Sequence, residues 1–152
     1  MRYLFSAIIV FLIVLISCDE KPCYEDMDTF FRIGFYTVEE NQVVDSVLDS
    51  LIVYADGSNF GLIFRNTKTI YSELSPNSDT TLFFLTLNDN NGDDFIQLGY
   101  NRKYHLVSHD CGFVTYFENL EIIESSDYFI DSVVIVNDVV NDVNQEHIKI
   151  FL

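Results

Sequence analysis

Beyond residue 28, apolar and polar side chains alternate with a period of two, which marks strands buried on one face. Thr29 to Val38 reads TFFRIGFYTV, placing Phe31, Ile33 and Phe35 on one side and Phe30, Arg32 and Tyr36 on the other. Further strands are expected over Ser50–Ala55, Phe60–Asn66, Thr69–Leu74, Thr80–Leu87, Phe95–Tyr100, Tyr104–His109, Phe113–Ile123, Asp131–Val136 and His147–Leu152. Turn chemistry separates several of them: Asp56-Gly57, Ser75-Pro76-Asn77-Ser78, and Asn91-Gly92 within NDNNGDD. Asn41 to Ser50 fits neither period well, and no run of ten residues holds a helical one. The expected fold is all-β: one antiparallel β-sandwich, immunoglobulin-like or related, of about 8 to 10 short strands. Its last strand, ending in IKIFL, is expected inside a sheet, because its apolar side chains would otherwise face water.

The first residues follow a different pattern. Arg2 is positive, Tyr3 to Ile16 is apolar apart from Ser6, and Ser17 stands just before Cys18. That run is short for a transmembrane helix and suits the apolar region of an export signal. An uncleaved anchor would more often be flanked by Lys or Arg, whereas Asp19 and Glu20 follow here. Leu15-Ile16-Ser17-Cys18 resembles the lipobox of bacterial lipoproteins, in which the cysteine thiol is lipidated and becomes the mature N-terminus. That resemblance implies a diacylated thioether on Cys18, often with a third chain on its amine, and two or more chains hold a protein stably on a bilayer. The chain then divides into a signal peptide over residues 1–17, a lipidated N-terminus and acidic tether over 18–28, and a sandwich domain over 29–152.

Removing the signal leaves 135 of the 152 residues, enough for one domain with a core. Arg2 leaves with it, so the formal charge of −16 becomes −17. This excess of acid disfavours nucleic acid and anionic lipid surfaces, since counterion release needs basic side chains, and no nucleic-acid partner is expected. Nine tyrosines and 14 phenylalanines against 2 prolines and 6 glycines belong to a folded β domain, not an acidic tail. Once Cys18 carries lipid, Cys23 and Cys111 are the remaining thiols in an oxidising compartment, and a structural disulfide is expected between them.

Candidate chemistry is sparse. On a helix, His105 and His109 would share a face and a metal; on a strand they lie about 13 Å apart, beyond one zinc ion's reach. Ser108, His109 and Asp110 have the residue types of a hydrolase triad, but neighbours on a strand point to opposite faces. The loop Asn88 to Asp94 clusters oxygens that suit Ca²⁺, with Asp89, Asn91, Asp93 and Asp94 as ligand candidates and Asn137 and Asp138 as distant helpers. Its spacing fails an EF-hand, because Gly92 at the sixth position would put Leu87 at the first. A hydrophilic hairpin turn is the preferred explanation of the loop, and Asn137 to Glu146 reads as a long loop before the last strand. Arg102 and Lys103, between Tyr100 and Tyr104, form the clearest basic cluster; they could hold an anionic or sugar ligand, or sit at a hairpin tip. No cofactor is implied.

Several segments together resemble a family of small uncharacterised lipoproteins of Bacteroidota. They are Ser17-Cys18 with Cys23, Asp49-Ser50-Leu51, Asn77-Ser78-Asp79-Thr80, Tyr100-Asn101-Arg102-Lys103, Cys111-Gly112-Phe113, Ile130-Asp131-Ser132 and Glu146-His147-Ile148-Lys149-Ile150-Phe151. The resemblance implies location, not chemistry: a cell-envelope lipoprotein anchored in the outer membrane, facing either the periplasm or the outside. Asp19-Glu20-Lys21 is similar to the acidic signals that send such proteins to the surface. The expected role is a non-enzymatic binding or structural accessory module with an envelope protein or glycan as partner. The alternatives are a Ca²⁺-stabilised adhesion module and an envelope hydrolase using His109 or His105.

Overall fold

The computed structural model describes Cys23 and residues 27–58, 60–87 and 92–152. Ten strands build two five-stranded sheets packed face to face. The first sheet holds β1 (Phe31–Glu39), β2 (Gln42–Asp45), β5 (Thr69–Ser72), β9 (Ser132–Ile135) and β10 (Ile148–Phe151). The second runs in the order β4 (Leu62–Thr67), β3 (Leu48–Ala55), β6 (Thr80–Leu87), β7 (Asp93–Ser108), β8 (Gly112–Ser125).

The period-two pattern works as elementary sterics require. Phe31, Ile33 and Phe35 of β1 are fully buried, facing Leu51 and Val53 of β3, Phe83 and Leu85 of β6, and Ile96 and Leu98 of β7. Phe31 stacks on Phe83 across the two sheets, with ring centroids 6.0 Å apart and planes at 8°. Each such side chain removed from water contributes about 2 kcal/mol. The final strand is integral, as its composition demands: β10 lies between β1 and β9, with Ile148 and Ile150 fully buried. It pairs with β1 in parallel, Ile33 opposite Ile148 and Phe35 opposite Ile150, while the other described pairings are antiparallel. Strands from the two ends of the domain need no hairpin between them, so nothing forbids this direction.

Two differences from the sequence reading have physical causes. Gln42–Asp45 is a strand, joined to β1 by a two-residue turn at Glu40 (φ 50°) and Asn41 (φ 64°). Two positive φ angles are the geometry of a type I′ hairpin, built here without the usual glycine. Second, Phe95–Tyr100 and Tyr104–His109 are one strand, the 16-residue β7. Arg102 and Lys103 are therefore not a hairpin tip; they sit mid-strand opposite Phe117 and Tyr116. The tip lies instead at His109–Cys111, where Gly112 takes φ 82°. The strand total agrees with the expected range, and β2 and β5 occupy successive stretches of the same edge of β1.

Past Gly99, β7 leaves β6 and pairs with β8 alone. From Asn101 to the turn the two strands form a ribbon about 25 Å long, bridged at its base to Val140 through the buried Phe117 and exposed farther out at Tyr104, Leu106 and Phe113. Cys23 is bonded to Cys111 at its tip, with Cα atoms 4.8 Å apart, so the expected disulfide is present.

Candidate functional site

A cleft of about 990 Å³ opens where the β4 edge of one sheet meets β5 of the other. Phe30, Phe60, Phe64 and Tyr71 form its aromatic wall, joined by Leu62 and Ile63. The rings brace one another: Phe30 lies 5.4 Å from Tyr71, and Phe64 meets Tyr71 edge-on at 6.3 Å. Phe60 is 85 % exposed and Tyr71 52 %, although a lone phenylalanine gains nothing by facing water. Polar groups rim the cleft at Asp56, Ser58, Glu73, Ser75 and Ser78. An aromatic floor with a polar rim suits a ligand of mixed character, held by stacking and a few hydrogen bonds.

Two residues proposed for ligand contact are outside the lining of this cleft and brace one of its walls from behind. Tyr100 is buried, and its hydroxyl is hydrogen-bonded to Thr81 Oγ1 while donating to the Ser75 carbonyl. The Ser75 amide in turn donates to Thr81 Oγ1 at 3.0 Å. Arg102 donates from Nε to Asp79 at 2.8 Å and from Nη1 to the Pro76 carbonyl at 3.0 Å. Together they fix the Leu74–Thr80 segment, which lines the cleft. Lys103 pairs with Glu118 on β8 at 2.8 Å, and Tyr104 lies exposed on the ribbon. These four residues are therefore near in sequence yet do not converge on one ligand position.

The two histidines of the ribbon also fail to converge. His105 is exposed and stacks on Tyr116, centroids 4.7 Å apart and planes at 11°; His109 is exposed at the turn. Among the described residues neither imidazole is ion-paired or hydrogen-bonded to a carboxylate. No group of three His, Cys, Asp or Glu among the described residues could hold a metal ion.

Asp89 and Asn91 lie outside the described residues, as do the Tyr3–Ile16 run and Cys18. Asp93 accepts from Thr86 Oγ1 at 2.7 Å and from the Tyr54 hydroxyl at 3.4 Å. Asp94 is buried, and its two oxygens accept from Ser126 Oγ and from the amides of Tyr128, Phe129 and Ile130 at 2.7–2.9 Å. Burial pushes its pKa up, but these four donors outweigh that and hold it below the ordinary value. Three successive amides aimed at one carboxylate make an anion nest, here filled from within the chain. The nest lies where the backbone leaves β8 in one sheet for β9 in the other, so Asp94 staples the crossing.

His147, which the sequence offered only as the start of a strand, is the remaining buried polar group. Its Nδ1 accepts from the Arg32 amide at 3.0 Å, and its own amide donates to the Arg32 carbonyl at 3.0 Å. The imidazole thus extends the β1–β10 ladder by one rung. Nε2 lies toward the Val139 carbonyl without closing a hydrogen bond. Burial is the main reason its pKa falls from 6.5 to about 4. The unfolded chain therefore binds a proton between those values that the folded chain does not, and stability drops as pH falls through the window. The loss should approach about 3 kcal/mol at pH 4. Easing of acidic self-repulsion acts in the opposite direction, so the check is a comparison by urea titration across pH. His147→Phe should flatten the acid side of the profile relative to the unaltered protein; parallel profiles would refute the assignment.

A family model, Family of unknown function (DUF6452), matches residues 49–152, from β3 to the end of the chain. No curated protein and no solved structure matches.

Proposed function

The chain belongs to DUF6452, a family of unknown function, and from its own residues we propose that it is a lipid-anchored envelope protein. Its sandwich works without catalysis, as a module that receives a partner in the aromatic cleft. The observation carrying the anchor is Leu15-Ile16-Ser17-Cys18 behind an apolar run and before an acidic flank. Lipid on Cys18 would hold the domain at an outer membrane, as the resemblance of its short segments to small lipoproteins of Bacteroidota implies. What supports the binding role is the exposure of Phe60 and Tyr71 in a concave site. An envelope protein or a glycan with one apolar face fits such a wall, because ring stacking asks for a flat surface.

Two variants test the two parts. Cys18→Ala should abolish incorporation of labelled palmitate and release the protein from the membrane fraction; undiminished labelling would refute the anchor. Phe60→Ser combined with Tyr71→Ser should weaken binding of the apolar dye ANS several-fold with little change in melting temperature. Equal dye binding would remove the cleft from the reading.

A further inference from the structure

The ribbon of β7 and β8 carries an apolar face that no other part of the described chain covers. Leu106 sits directly opposite Phe113, and Tyr104 opposite Thr115, so Tyr104, Leu106 and Phe113 share one face. They are 68 %, 44 % and 67 % exposed. From Tyr104 to Tyr116 the only formally charged side chain is Asp110, in a chain with 32 charged residues among 152. Low charge matters because an ionised group resists entry into hydrocarbon, most at the bilayer centre and progressively less toward the interface, so a sparsely charged tip can settle deeper than a highly charged one.

Position supplies the occupant. Cys111 at the ribbon tip is bonded to Cys23, which stands five residues after Cys18. Five residues of fully extended chain reach about 18 Å. If lipid chains hold Cys18 at the membrane, the ribbon tip cannot leave the surface by more than that distance plus the 4.8 Å between the Cα atoms of Cys23 and Cys111.

We propose that the β7–β8 ribbon is a membrane-contacting arm, which lays Tyr104, Leu106 and Phe113 into the interface of the bilayer that anchors Cys18. The inference rests on the lipidated Cys18 of the proposed function. Tyrosine and phenylalanine suit this depth, since their rings bury apolar area and tyrosine keeps its hydroxyl in water. The anchor supplies affinity and the arm supplies orientation.

The absence of tryptophan allows a direct test. Full-length lipidated protein with Phe113→Trp, or in a second preparation Leu106→Trp, is reconstituted into phosphatidylethanolamine–phosphatidylglycerol vesicles. The reference is Tyr128→Trp, whose site borders Gly92 beside the start of β7, at the opposite end of that strand. Brominated lipid should quench both ribbon tryptophans at least twofold and shift their emission to the blue, leaving Tyr128→Trp unchanged. Protein that floats with the vesicles but quenches equally at all three sites would overturn the arm and leave the anchor standing. Protein that does not float at all would overturn the anchor, and the arm with it.

Discussion

Asp94→Ala should destabilise the domain by about 3–5 kcal/mol, the largest loss expected from any one side chain outside the apolar core. The substitution strips one carboxylate but orphans four donors: the Ser126 hydroxyl and the amides of Tyr128, Phe129 and Ile130. Each buried donor left without a partner costs about 1–3 kcal/mol, with some relief from water at the partly exposed positions. Asp94→Asn should recover little, because its NH₂ group would confront amides that also donate. The melting temperature of the alanine variant is expected to fall by roughly 10–20 °C. A drop of under about 1 kcal/mol in urea unfolding would mean that the crossing between sheets holds without its staple.

The disulfide should have a comparable effect by a different route. Cys23 and Cys111 are 88 positions apart, and closing a loop of that size restricts the unfolded chain by about 4.6 kcal/mol at most. Cys23→Ser with Cys111→Ser should therefore lower stability by several kcal/mol, and reduction of the unaltered protein should reproduce it. Unchanged unfolding midpoints on reduction would contradict this. The same double variant frees the ribbon tip from the root of the anchor. Bromolipid quenching at position 113 should then weaken even though the protein still floats.

Most of the architecture was legible because it depends on the simplest rule, alternation. Phe31, Ile33, Phe35, Ile148 and Ile150 announce their buried face by spacing alone, and the structure buries all five. What escaped depends on partners distant in sequence. The turn at Glu40-Asn41 lacks the glycine that signals a type I′ hairpin, so β2 was illegible. The union of two strand segments into β7 was hidden by Arg102-Lys103, whose charges look like a turn until Asp79 and Glu118 are brought beside them. Asp94 reads as one more acid in NDNNGDD; only the fold supplies three amides from 34–36 residues away. The cleft is assembled from five separate stretches of chain, and no spacing rule joins Phe30 to Phe60 and Tyr71. His147 gave no local signal at all, since its partner amide belongs to Arg32, 115 residues earlier.

In the proposed reading these pieces meet at the root of the chain, where lipid on Cys18 and the Cys23–Cys111 disulfide would together tie the ribbon to a membrane. Mass spectrometry of the N-terminal peptide from the mature, membrane-extracted protein tests this most directly. The account predicts a peptide that begins at Cys18 and carries at least two fatty acyl chains. A mature chain that begins at any other residue, or an unmodified Cys18, would contradict it.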